Sequence, residues 1–248
     1  MNKTTLLLVV VLLGITWIPA KGKPTEQPTD DSTKVKSTLT LTPRLNSAGY
    51  FPFTGSIINH HVNLDVNLFY EKGGRGFFLF KSFDPVDVHS AINYFQPGAF
   101  VTIRPRSAFR LRAFAGYLFS QTTHFRDEDS DFYSALGIYW DITPQVKVQH
   151  TVLYYDVQTN SKLANRLLVT WQSKALKVDV YLWHRWVMEE HSEAISGSVA
   201  VTYSLELSER CRMELTGSYL SYLTQEMPSY ALRRGLVLTL GVPLALGR

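Results

Sequence analysis

The stretch VNLDVNLFY, residues 62–70, decides the fold class. Val62, Leu64, Val66, Leu68 and Tyr70 alternate with Asn63, Asp65 and Asn67. Successive side chains of a β-strand point to opposite faces, so this segment has one apolar and one polar face. The same period recurs along the chain. Phe109, Leu111, Ala113, Ala115, Tyr117 and Phe119 oppose Arg110 and Arg112. Leu176, Val178, Val180, Leu182 and Trp186 oppose Lys177, Asp179, Tyr181 and Arg185. Ile195, Val199, Val201, Tyr203 and Leu205 oppose Ser196, Ser198, Thr202 and Glu206. No segment has the 3.6-residue period of an amphipathic helix.

The pattern predicts strands over 37–45, 58–70, 76–83, 89–104, 108–120, 131–142, 146–158, 164–172, 176–188, 194–207, 211–223 and 233–246. About twelve strands result, or ten on a stricter reading. The segment 89–104 holds Pro97-Gly98, which we read as a bulge or an irregular strand end, because proline cannot donate to a ladder. Between strands, tight connections at 71–75, 105–107, 143–145, 173–175 and 208–210 alternate with mostly longer ones at 46–57, 84–88, 121–130, 159–163, 189–193 and 224–232. Such sorting suits an up-and-down barrel whose two ends face different compartments. Most of the predicted strands exceed the ~9–11 residues that a tilted membrane-crossing strand needs, and all exceed the ~5–6 typical of soluble sheets.

Composition fits. The 248 residues are 45% hydrophobic, 13% aromatic and 19% charged, which excludes a disordered chain. Mean hydropathy is close to zero, as expected when two opposite faces average out. The single Cys211 excludes a disulfide framework and an all-Cys zinc site. A net charge of +4 gives no case for nucleic acid. Lys3, the aliphatic run from Leu6 to Leu13 and Ala20 have the layout of a cleaved secretory signal peptide over 1–20. Residues 21–37, rich in Pro, Thr, Asp and Lys, read as a polar periplasmic tail, and 38–248 as the barrel.

Signal peptide, polar tail, long alternating strands, tight turns on one side and aromatic-flanked strand ends together resemble Gram-negative outer-membrane β-barrels. Such proteins often end in an aromatic residue, whereas this chain ends Leu244-Ala245-Leu246-Gly247-Arg248. The resemblance implies an all-β, single antiparallel up-and-down transmembrane barrel in the cell outer membrane. Membrane lipid surrounds it, and other envelope proteins are its partners if it is an accessory component. Aromatics such as Tyr70, Tyr117, Phe132, Trp140, Trp171, Trp186, Tyr203 and Tyr219 suit the lipid–water boundary.

By parity the polar faces hold Asp65, Arg110, Arg112, Asp141, Lys147, Arg166, Lys177, Asp179, Arg185, Glu206, Arg212, Glu214 and Arg233. These are the expected lumen-lining residues. Charges there either pair across the lumen and seal it, or line a narrow aqueous path whose cationic excess favours anions. His150 and His184 fall on the apolar face, as shielded side chains rather than ligands.

The leading expectation is a non-enzymatic barrel, either a small solute channel or a structural component of an envelope complex. One alternative is a barrel-borne lipid hydrolase, a phospholipase or a lipid A modifying enzyme. It would need a His beside a nucleophile at the membrane rim. His124 near Asp127 and Asp129, and His191 beside Ser192, are its weak candidates, and neither lies in the phospholipase His-x-Ser-Asn-Gly pattern. A second alternative is a soluble periplasmic ligand-binding barrel. Asp127, Asp129 and Asp131 alternate like part of a calcium loop, but the glycine and distal glutamate of such a loop are absent, so we read a solvated loop tip. No cofactor is expected.

Overall fold

The computed structural model describes residues 37–51, 55–119, 131–155, 161–229 and 231–246. The segment expected to be a signal peptide, 1–20, and nearly all of the expected tail lie outside them. Twelve strands are described: β1 Ser37–Asn46, β2 Asn63–Lys72, β3 Arg75–Phe83, β4 Phe95–Ile103, β5 Phe109–Leu118, β6 Asp131–Asp141, β7 Val146–Tyr155, β8 Lys162–Gln172, β9 Leu176–Val187, β10 Ser192–Ser208, β11 Cys211–Tyr222 and β12 Arg234–Gly241. The line of β12 resumes after Pro243 as Leu244–Ala245. Each strand pairs antiparallel with its sequence neighbours, and β1 pairs with both β2 and β12, so the sheet closes on itself. Closure leaves no open sheet edge, which is what a sheet needs inside a bilayer.

Parity decides which face is outside. Leu64, Val66, Leu136, Val199, Val201, Leu236 and Leu238 are 40–61% exposed on the outer wall. Their sequence neighbours Asp65, Ser198 and Thr202, and Asp179 next to the exposed Val180, are at most 9% exposed in the interior. An apolar exterior over a polar interior inverts a soluble barrel and matches a lipid-facing one. The soluble periplasmic barrel expected as an alternative is not supported by this arrangement.

Tight turns cluster at one end. Gly73 and Gly74 have φ of 60° and 82° and join Lys72 to Arg75 in a two-residue hairpin, a conformation that glycine enters without a Cβ penalty. Loops occupy the other end, including the segment that holds a two-stranded ribbon of Gly49–Phe51 and Ser56–Asn59.

Two ladders are interrupted by proline. The strand expected over 89–104 begins only at Phe95, because residues 84–94 form a loop. Around Pro97 there is no register shift on the β3 side, where Leu79 faces Pro97 directly. The β4–β5 ladder instead lapses between the Gly98–Gly116 pair and a lone bridge from Phe95 to Phe119. Of the two expected forms, a bulge is absent, and the irregularity is a gap in one ladder near the start of the strand. The second interruption lies at the β1–β12 seam, between the Arg44–Gly241 and Leu41–Leu244 pairs, where Pro43 and Pro243 fall.

Candidate functional site

The ribbon turns inward and sits inside the loop end of the barrel. Its Ile57, 2% exposed, packs with Ala48 against Leu220 and Val237 of the wall. Gly235 leaves the space that Ile57 occupies, since a Cβ there would lie 2.7 Å from its side chain. Gly55, at φ +63°, lies against the Trp183 ring, which is itself 1% exposed. Ser56 Oγ and Tyr222 Oη are hydrogen-bonded at 2.6 Å.

A latch holds the ribbon to the next loop. The buried Asp84 carboxylate accepts from the backbone N–H groups of Val86 at 2.8 Å and Asp87 at 3.0 Å. It also accepts from Asn59 Nδ2 at 2.8 Å and faces His61 Nδ1 at 3.1 Å. Burial pushes this carboxyl up, but the hydrogen bonds outweigh burial and hold it below its ordinary value.

Below the ribbon the lumen opens into a cavity of about 250 Å³. Tyr50 of the ribbon reaches it, together with Arg44, Asp65, Arg166, Lys177, Asp179, Tyr181 and Glu214. Its charges are mostly paired. Arg44 lies 3.5 Å from Asp65, Lys177 lies 2.9 Å from Asp179, and Glu214 lies 2.6 Å from Arg212. Thr170 donates to Asp179 at 2.6 Å. Arg166 differs: among the described residues it has no ion-pair partner, and its buried Nε has no acceptor. Arg166 also borders a second cavity of about 80 Å³ walled by Phe78, Phe114, Tyr133 and Leu153.

Nearer the tight turns, charges seal against the wall. Arg110 makes a bidentate pair with Asp141 at 2.6 and 2.9 Å. Arg112 donates to Glu71 at 2.9 Å and Thr102 at 2.7 Å, with its guanidinium 4.3 Å from the centroid of Phe100 and 5.4 Å from that of Tyr139. Such pairing over aromatic faces makes a polar core rather than an open path.

Of the thirteen residues expected to line the lumen, Asp65, Arg166, Lys177, Asp179 and Glu214 border the central cavity. Arg110, Arg112 and Asp141 form the paired layer just described, and Arg212 pairs with Glu214. Arg185 borders a pocket of about 500 Å³ at the loop rim with Glu190, Glu193 and Glu226. Lys147 faces Asp141 across the β6–β7 ladder near the tight turns. Glu206 and Arg233 keep the expected parity but are exposed near strand ends, so they line neither described cavity.

His124, Asp127 and Asp129 lie outside the described residues. Asp131 is buried and accepts from the Phe132 N–H, and among the described residues no cluster of three or more His, Cys, Asp or Glu side chains could hold a metal ion. His191 is hydrogen-bonded to the Glu189 carbonyl of its own turn, and Ser192 donates to Glu190, so these two are not assembled as base and nucleophile.

The residue reading missed Arg44, Tyr50, Trp183 and the inward phenylalanines. Arg44 was accessible from parity, since Thr38, Thr40, Thr42 and Arg44 alternate with Leu39, Leu41 and Leu45. Tyr50 had no such signal, because the ribbon carries it and no strand period runs through it.

The closed twelve-stranded sheet, apolar outside and charged within, is the fold of Gram-negative outer-membrane β-barrels. Solved structures with this fold bear that out. The chain is similar to the KdgM porin, with a TM-score of 0.57, 11% identity, and coverage of 83% of this chain and 98% of that one. It is similar to the NanC porin, with a TM-score of 0.56 and 11% identity over 84% of this chain and 100% of that one. It is also similar to the COG4313 outer membrane channel from Pseudomonas putida F1, with a TM-score of 0.55 and 10% identity over 90% of this chain and 100% of that one. No protein-family model matches the sequence, and no curated protein matches it.

Proposed function

We propose that the protein is a narrow outer-membrane channel for small polar solutes, anion-preferring, with the first long loop folded inward as its constriction. The polar cavity of about 250 Å³ in mid-barrel carries this reading, because it sets a cation without an ion-pair partner among the described residues, Arg166, beside charge pairs that neutralise one another. The neighbouring folds named as porins and a channel support it. In this reading residues 1–20 are removed on export, the tight turns face the periplasm and the loops face outside.

Planar-bilayer recording of the refolded protein tests the proposal. Discrete current steps are expected, with anions favoured over cations. Arg166→Glu is expected to lower the anion-to-cation permeability ratio by about fivefold, since one charge near a low-dielectric constriction acts at full strength. Absence of current and of solute flux from correctly refolded protein would remove the channel reading.

A further inference from the structure

The wall between β4 and β5 is incomplete where Pro97 interrupts their ladder. On its lipid-facing side lies an apolar groove formed by Phe77, Leu79, Pro97, Ala115, Tyr117 and Phe132. All six side chains point outward. Tyr133 points inward, is 6% exposed, and yet also borders this outer groove. Bare backbone is all that lies between the groove and the Tyr133 ring behind it. Here that backbone is Gly98 and Gly116, facing each other across the ladder. A Cβ on either glycine would overlap the Tyr133 hydroxyl. The same hydroxyl donates to the Pro97 carbonyl at 3.3 Å, beside the gap in the ladder.

Tyr133 also walls the inner cavity of about 80 Å³, with Phe78, Phe114 and Leu153, and Arg166 borders both that cavity and the polar one. One line therefore joins bilayer, outer groove, Tyr133, apolar pocket, Arg166 and aqueous lumen. Its chemistry is graded from apolar outside to cationic inside.

We propose that this line is a side portal for an amphipathic carboxylate: Arg166 holds the head group, the pocket of Phe78, Phe114 and Leu153 takes the chain next to it, and Tyr133 is the shutter toward the bilayer. The ladder already lapses between the Gly98–Gly116 pair and the Phe95–Phe119 bridge, and the Tyr133 ring backs that gap, so a rotamer change opens it without breaking a strand. Only a slender, unbranched chain passes through a two-residue lapse between two strands. The buried, unpartnered Arg166 Nε and its guanidinium match a carboxylate rather than an ammonium or a neutral alcohol. The portal adds a lateral route to the axial one proposed above and does not depend on ion conduction.

The test uses the full-length refolded protein in phosphatidylcholine vesicles holding hexadecanoate with a diazirine close to its carboxylate. After irradiation, labelled residues are mapped by peptide mass spectrometry. Labelling of the inward-facing Phe114 and Leu153 is expected, in addition to outward residues. Arg166→Gln is expected to reduce the inward label about tenfold, the loss of one charge-assisted contact, and the hexadecanol analogue to behave like that variant. Ala115→Trp, at an exposed outer position, fills the groove and is expected to remove the inward label while label at Val101 persists. Heat-modifiable gel migration confirms that each variant is folded. Label confined to Phe77, Leu79 and Phe132 in the wild type, inward label undiminished in Ala115→Trp, or equal inward labelling by the alcohol would each overturn the portal. None of these outcomes bears on whether current flows, so the channel reading stands or falls separately.

Discussion

The two halves of the lumen wall differ more than the two ends of the barrel do. From β2 to β6 the inner face carries Phe69, Phe78, Phe80, Phe100, Phe114, Tyr133 and Tyr139. From β9 to β12, around the central cavity, it carries Asp179, Ser198, Thr202, Thr216, Ser218 and Thr239 beside Tyr181, with Trp183 and Tyr222 only nearer the loop end. The aromatic half packs on itself: Phe69 stacks on Phe100 at 5.1 Å, and Phe114 lies 5.9 Å from Phe100 and 6.4 Å from Phe78. At the level of the central cavity the polar half has mostly short side chains, Thr202 and Thr216 bonded at 2.8 Å among them, and the cavity forms against them. Both halves belong to one sheet of one curvature. Side-chain volume, rather than strand number, therefore decides where this lumen is filled and where it is open.

The comparison can be broken by truncating each half in turn. Phe100→Ala removes the ring shared by Phe69, Phe114 and Arg112 and is expected to cost ~3–5 kcal/mol, read from denaturant unfolding in detergent. Gly55→Val should act next most strongly, on the constriction rather than the wall. A side chain at φ +63° against Trp183 forces the ribbon outward, and single-channel conductance is expected to rise severalfold.

Acid tests the latch. A carboxyl held below its ordinary value stabilises the folded state fully above about pH 4, and that contribution is lost as pH falls through the lowered value. Hydrogen exchange of the 47–62 segment is expected to accelerate in that range, and Asp84→Asn to exchange quickly at every pH. The smallest effect belongs to the polar half. Thr202→Val breaks one hydroxyl pair and is expected to cost about 1 kcal/mol. A larger loss there than at Phe100 would reverse the ranking of the two halves.

The strands with a polar lumen face were legible in the sequence where their period is clean: 62–68, 176–182 and 195–206 alternate, until Phe69 and Trp183 put large apolar rings on the lumen face. β3 was not legible to that depth. Phe77, Phe78, Leu79 and Phe80 are apolar on both faces, so parity cannot separate lipid from lumen. The same holds around Phe100, where the interior is built of aromatic rings instead of charge. Lumen charges on strand bodies were readable, whereas Glu71 was hidden by its place beside a turn, although it pairs with Arg112. The inward ribbon was opaque for another reason. Its placement depends on glycines 55 and 235 meeting Trp183 and Ile57 across long sequence separations, and no local pattern encodes such contacts.

The proline-flanked seam between β1 and β12 bears on how the barrel is made. Every other neighbouring pair of strands is joined by its own hairpin, so its ladder can grow locally. At the seam, Asn46 meets Thr239 across a sequence separation of 193 residues, and bringing such distant segments together carries a large entropic cost before any bond rewards it. With Pro43 and Pro243 each lacking a donor, this junction also has fewer bonds to gain. Closure at this junction is the natural bottleneck of insertion, and it is where a half-built barrel would stay open to an assembly partner longest.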